Sequence, residues 1–324
     1  MAIYHYHRSI GKRASGKNAV FAAAYIRGEK RTCDRTGETN DFSDKIDVVY
    51  TKTFIPNDAP LWAVELRSRT ISDEHGKKQK DDTGVLFSTY AWNQIEFIEK
   101  RIDSQLYFHD DIALPNVLTQ EQAIELVDEF VQSSLAINGI FCDVAIHWDD
   151  NNHHVHVLMP LRTLNEEGFS KKLRFTKAGL TQEVNRIRED WAIAANQKMK
   201  TLGIEERIDH RSYKDRNIAL QPTVKVGKFS RLFDNDIAER KLKENQEIRK
   251  INALAIQDNP NILATKILQE NTSFNNETIQ DEILKNSVNV VNQLQHPDSE
   301  NEIDPVLQKL LASIQGEDAI FNDR

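Results

Sequence analysis

Three histidines, His147, His154 and His156, fall in the segment Ala145-Ile-His-Trp-Asp-Asp-Asn-Asn-His-His-Val-His-Val-Leu-Met-Pro160, and their type and spacing fit a divalent-cation site. Successive side chains of a strand point to opposite faces, so His154 and His156 share one face and Val155 and Val157 the other. A polar hairpin through Asp149, Asp150, Asn151 and Asn152 would bring His147, on a preceding strand Val144 to Trp148, beside that pair. Three neutral imidazoles converging on one point, with positions left open, commonly hold a catalytic metal. The alternation also puts these rings where apolar side chains would otherwise pack, and burying them without a shared partner is costly. His153 falls on the opposite face and reads as a solvated turn residue.

The elements around this hairpin alternate between short strands and helices. Strand Ile3 to Arg8 leads through the polar turn Gly11 to Lys17 into a helix Asn18 to Arg27, followed by strand Lys45 to Phe54. Pro56 and Pro60 mark a loop, after which Leu61 to Ile71 and Thr89 to Ile102 read as helices flanking a charged insert, Ser72 to Gly84. Strand Gln105 to Leu114 comes next, and Thr119 with Gln122 forms a capping-box pattern opening a helix to about Ala136. Beyond the histidine strands lie a basic loop, 161 to 178, and a long helix from Gly179 to Leu202. The pattern predicts an α+β fold around an antiparallel sheet with flanking helices.

Composition divides the chain. The overall charge is −8, yet from residue 234 onward there are 9 Lys and Arg against 17 Asp and Glu, so the first 233 residues are neutral. Basic residues gather in residues 1–35, with 8 against 2 acids, and in 162–231, with 16 against 9; such stripes can meet phosphates despite the overall sign. Past Gly227, Asn, Gln and Glu rise, and helical stretches near Asn235 to Leu254, Asn261 to Glu270 and Asn276 to Leu294 are expected. We therefore read 1–233 as one domain and 234–324 as a helical, acidic extension. No apolar run approaches membrane-spanning length, no secretory signal is visible at the N-terminus, and Cys33 and Cys142 form no CxxC, so a reducing cytoplasm is the expected compartment.

A tyrosine in Ala22-Ala-Ala-Tyr25-Ile-Arg, upstream of paired histidines, resembles the MobA/MobL conjugative relaxases, a group that includes the Tra-type proteins. Further segments resemble that family in family order: Met1-Ala-Ile-Tyr-His, Ser15-Gly-Lys-Asn-Ala, Trp92-Asn with Glu99-Lys-Arg-Ile-Asp, Ile112-Ala-Leu-Pro, Leu164-Asn-Glu-Glu-Gly-Phe and Ile208-Asp-His-Arg-Ser-Tyr213. The chain departs from the family's Asn-Pro-His with Asn152-His153-His154, and from its Glu-x-Glu with His109 and Asp111. The stretch from Asn259-Pro-Asn-Ile to Ser273-Phe-Asn-Asn-Glu-Thr-Ile-Gln-Asp resembles the start of a helicase-like region. With no GxxxxGK[ST] loop, the chain is expected not to hydrolyse ATP.

The resemblance implies a histidine-hydrophobe-histidine endonuclease that nicks the transfer origin of a mobile element in a bacterium. Tyr25 would attack the scissile phosphate, leaving a 5′-phosphotyrosine, with Mg or Mn on His147, His154 and His156 and with Asp111 as a carboxylate orienting a metal-binding histidine. Three nitrogen ligands by themselves suit Mn, Co, Ni or Zn better than Mg. Lys12, Arg13 and Lys17, near Tyr25, are the first candidates for gripping phosphates, and Lys171, Lys172, Arg174 and Lys177 the second. The implied partners are single-stranded origin DNA, accessory mobilization proteins and a type IV secretion coupling protein. A rolling-circle replication initiator, a histidine-metal hydrolase acting through water, and a relaxase reduced to origin binding are the competing readings.

Overall fold

A computed structural model describes residues 4–72, 78–149, 152–224, 226 and 235–258. Its contacts divide the chain into two compact units, residues 2–204 and residue 205 onward, so the first unit closes before the change in composition near residue 233.

The first unit is built on a five-stranded antiparallel sheet in the order β1-β7-β9-β8-β4. Its strands are β1 (Tyr6–Lys12), β4 (Val48–Phe54), β7 (Gln105–Ala113), β8 (Cys142–His147) and β9 (His154–Pro160). Small hairpins are formed by β2 (Lys30–Thr32) with β3 (Thr39–Asp41), β5 (Thr70–Ser72) with β6 (Lys78–Lys80), and β10 (Leu164–Asn165) with β11 (Gly168–Phe169). The helices are α1 (Ala19–Arg27), α2 (Leu61–Arg67), α3 (Val85–Ile98), α4 (Gln120–Phe130) and α5 (Lys177–Thr201). This is the expected α+β arrangement.

Helices α1 and α3 cover one face of the sheet. Ala19, Val20, Ala23 and Ile26 of α1 pack with Phe87, Ala91, Trp92 and Ile95 of α3 and with Ala145 and Leu158 of the sheet. The small side chains of α1 let it approach closely. Against the other face lies α4, whose Asp128 accepts from Tyr50 Oη and Lys52 Nζ of β4, both at 2.5 Å; α5 packs on α4 through Phe130 and Trp191.

Local signals explain where the helices begin and end. Asn18 caps α1 by accepting from Phe21 N at 3.1 Å, and Gly28 closes it with φ +61°. The buried Glu96 carboxylate accepts from Ala19 N at 2.7 Å, a negative charge on the positive end of the helix dipole. At the other end Arg27 is fully buried and donates to Asp143 Oδ1 of β8 at 2.7 Å. Asp143 also accepts from Thr53, Ser88 and Trp92, so the pair stays hydrogen-bonded away from water. Helix α3 starts earlier than its apolar pattern predicts because Asp81 accepts from the backbone of Gly84, Val85 and Leu86.

Two other expectations are corrected. The helix expected over Leu61 to Ile71 stops at Arg67, and Thr70–Ser72 pairs with Lys78–Lys80 instead. The first strand runs on through Gly11 and Lys12, residues expected in a turn. Gly11 is needed there because a Cβ would lie 2.2 Å from Cζ of Tyr107, whose ring covers it. The Thr119–Gln122 capping box forms as expected, and α4 continues through a π turn, Val131–Leu135.

In the second unit α6 (Asn235–Asp258) carries two asparagines that bind extended chain: Asn245 exchanges hydrogen bonds with the backbone of Val224, and Asn252 with that of Gln221. The helices expected at Asn261 to Glu270 and Asn276 to Leu294 lie outside the described residues. No helix among the described residues is long and apolar enough to cross a membrane.

Candidate metal and nucleophile site

Strand register brings the three histidines together. His147 lies directly across from His154 on β8 and β9, and Ala145 across from His156, so the three rings crowd one face. One nitrogen from each lies within 4.8 Å of the others. His153 is outside the cluster; its ring stacks on Trp148 with centroids 3.7 Å apart, so it is packed rather than solvated.

The second nitrogen of each ring is already engaged. His154 Nδ1 donates to the Asn152 carbonyl at 2.6 Å, and His156 Nδ1 lies 2.9 Å from Nε2 of His109. These contacts fix both rings and leave each Nε2 as the remaining donor, the usual outer-sphere arrangement of metal-binding histidines. His147 faces two oxygens: Nε2 sits 2.7 Å from the Ile26 carbonyl and Nδ1 3.2 Å from Asp47 Oδ2. A neutral ring has one proton for these two acceptors. Burial pushes the His147 imidazole below its ordinary range, against protonating both nitrogens, so a cation at one nitrogen relieves the conflict. Burial, with His109, His154, His147 and Lys45 nearby, also holds His156 far below the ordinary value. Nitrogen-rich and crowded, the residues present fit a divalent cation, with a donor set that suits Mn better than Mg.

Tyr25 stands on the last turn of α1, half exposed, while its helical neighbours Ala24 and Ile26 are buried. Its ring meets Phe42 edge-on at 5.4 Å, and Lys45 Nζ lies 4.1 Å from the ring centroid. Other tyrosines differ. Tyr6 donates to Asp110 at 2.6 Å and Tyr50 to Asp128, and burial with those carboxylates drives both phenols well above the ordinary value. Burial pushes Tyr107 up to about 12. Tyr4 donates to the Arg188 carbonyl.

The remaining expected residues divide. Lys12 and Lys17 are exposed on the approach to α1. Arg13 is not available to DNA in the same way, because its guanidinium donates to Glu96 Oε2 and to the Glu99 carbonyl, both at 2.8 Å. Lys172 is likewise paired with Glu99, while Lys171, Arg174 and Lys177 are not buried. Asp111 lies across from His156 in register, but the hydrogen bond to that ring comes from His109. Burial lowers the His109 imidazole, opposed by the nearby Asp111 charge. The turn carrying Phe42, Lys45 and Asp47, which touches both Tyr25 and His147, is the part that sequence reading missed.

Residues 17–235 match the MobA/MobL family. The chain is 32% identical over 301 residues to "Conjugal transfer protein TraA" of Agrobacterium fabrum, covering 85% of this chain and 26% of that protein. It is 26% identical over 260 residues to "Mobilization protein MobL" of Acidithiobacillus ferridurans, covering 70% of this chain and 62% of that one. A solved structure described as "Molecular Basis of Vancomycin Resistance Transfer in Staphylococcus aureus" superposes with a TM-score of 0.54 at 25% identity, covering 65% of this chain and 100% of that chain. The chain thus spans about a quarter of the length of the TraA protein it matches. With the family match extending over most of the chain and the histidine cluster formed on the sheet, this protein belongs to the MobA/MobL family.

Proposed function

We propose that this chain is the nicking domain of a conjugative relaxase, acting on single-stranded DNA at a transfer origin through Tyr25. The observation that carries this reading is the joining of two elements: α1, which bears the half-exposed Tyr25, is hydrogen-bonded through the Ile26 carbonyl to His147 of the three-histidine cluster. Tyr25 Oη attacks phosphorus, the P–O3′ bond breaks, and the phenolic proton leaves to solvent while the 3′ oxygen gains one. The phosphodiester energy is kept in the phosphotyrosine, so the same residue can rejoin the ends. His147, His154 and His156 would hold the divalent ion, Mg or Mn, which when bound neutralises phosphate charge and makes phosphorus more electrophilic. His109 and the Asn152 carbonyl hold two of those rings in place.

Accessory mobilization proteins and a type IV secretion coupling protein are the further partners, and the bacterial cytoplasm the compartment, that this reading implies. The domain would take in residues 1–233, with 234–324 as an extension. Labelled single-stranded origin DNA, incubated with the protein and Mn²⁺ and run on a denaturing gel, tests it. The expected result is a protein band carrying DNA, lost in Tyr25→Phe; cleavage persisting in that variant would point to a water-using metal hydrolase.

A further inference from the structure

The turn between β3 and β4 holds a cation against the tyrosine and, through Asp47, adjoins the histidine cluster. Lys45 N donates to the Phe42 carbonyl at 3.2 Å, which closes the turn, and Nζ donates to the Tyr25 carbonyl at 3.3 Å while lying over the Tyr25 ring. Gly28 brings the helix end against this turn: at its φ of +61° a side chain is strained, and a Cβ there would lie 3.2 Å from Val48 Cγ2. Two residues on, Asp47 Oδ2 lies 3.2 Å from His147 Nδ1. One turn therefore meets the tyrosine through Lys45 and the histidine cluster through Asp47.

Resting on the relaxase reading above, we infer that Lys45 is a catalytic residue that binds a non-bridging oxygen of the scissile phosphate, opposite the oxygen facing the histidines. In-line attack sets Tyr25 Oη, phosphorus and the departing 3′ oxygen in one line, which leaves the non-bridging oxygens at the side, open to Lys45 and to an ion on the histidines. As Oη closes on phosphorus and the 3′ oxygen departs, negative charge is spread over the equatorial oxygens, and an ammonium already in place stabilises it without reorganisation. A cation stacked on a half-exposed tyrosine for packing alone gains little, and the turn that carries it need not also reach the histidine cluster.

The test is a charge cycle between the lysine and the phosphate. The native chain first maps its nick on single-stranded DNA from the transfer region. Two oligonucleotides spanning that step are then made, one natural and one with a neutral methylphosphonate at the scissile position. Binding is measured in a Tyr25→Phe background, which keeps the ring under Lys45 and prevents turnover. Lys45→Met is expected to weaken binding to natural DNA about tenfold, the size of one charge-assisted contact, and to change binding to the neutral analogue by less than about twofold. Lys45→Arg is expected to retain most of the affinity. With Tyr25 intact, Lys45→Met is expected to slow single-turnover cleavage about a hundredfold at saturating Mn²⁺ and DNA. Equal losses on both oligonucleotides, or cleavage within about threefold of native, would overturn the role of Lys45 and leave the relaxase reading standing. A native chain that binds the DNA but forms no adduct would overturn both.

Discussion

The ring of His147 and the backbone of Ile26 are joined across the first unit by a contact of 2.7 Å between Nε2 and the carbonyl. Ile26 follows Tyr25, so the histidine cluster and the tyrosine helix share a fixed point rather than meeting through mobile side chains. Asn18, Gly28 and Glu96 fix the ends of that helix, and Arg27 ties it to β8 through Asp143. Under the proposed function, an ion held by the histidines would need little rearrangement toward Tyr25 when DNA arrives.

Single alanine substitutions at His147, His154 and His156 are expected to abolish Mn²⁺ binding in calorimetry and adduct formation on gels. His153→Ala should leave metal binding unchanged, because that ring stacks on Trp148 outside the cluster. Comparable metal loss in His153→Ala would mean that β9 is offset by one residue, which exchanges its faces.

His109→Ala is expected to weaken Mn²⁺ binding by roughly 10- to 100-fold, the usual cost of removing the group that holds a metal ligand's second nitrogen. His109→Glu should restore it, since a carboxylate accepts from His156 Nδ1 more strongly than a neutral imidazole does. Asp111→Asn should cost less than His109→Ala, because Asp111 acts on His109 only through its charge. The reverse order would return the orienting role to Asp111.

Much of this site was legible in the sequence because it rests on a period of two. His154 and His156 alternate with Val155 and Val157, and the polar segment between them and His147 could only be a turn. The Thr119–Gln122 capping box is local in the same way. What could not be read depends on distant partners. Nothing near Arg13 reveals that Glu96 and Glu99 take its guanidinium, or near His109 that the register of β7 on β9 sets it against His156. Lys45 and Asp47 looked like the start of a strand because Ile46, Val48 and Val49 are β-branched. Ile46 is 97% exposed, however, and the strand begins at Val48.

Arg13 and Lys17 should separate cleanly on substitution. Arg13→Gln leaves the buried Glu96 with less compensation and is expected to lower the urea midpoint, at a cost of about 3–5 kcal/mol if the charge stays buried. Lys17→Gln, at an exposed position, should leave the midpoint unchanged, weaken DNA binding and reduce the salt slope by about one. An Arg13 variant of native stability with a reduced salt slope would assign that guanidinium to DNA after all.

Acid should weaken the site. Burial holds His147, His156 and His109 below the ordinary imidazole value of about 6.5, so below that pH the unfolded chain binds protons that the folded one refuses. The stability these rings contribute is complete above pH 6.5 and declines as the pH falls toward their folded values. Protons compete with metal for the same nitrogens, so Mn²⁺ affinity should fall in the same direction. Urea midpoints and calorimetry between pH 8 and about 5 test this, with flat profiles as the contrary result.

The most direct measurement is the chemical identity of the protein–DNA link. After reaction with single-stranded origin DNA and Mn²⁺, nuclease trimming, proteolysis and mass spectrometry should find a 5′-nucleotide joined to the oxygen of Tyr25 in the peptide containing Ala22-Ala-Ala-Tyr25-Ile-Arg, and a free 3′-hydroxyl on the other DNA product. A link on any other residue, or cleaved DNA with no nucleotide on the protein, would contradict the account.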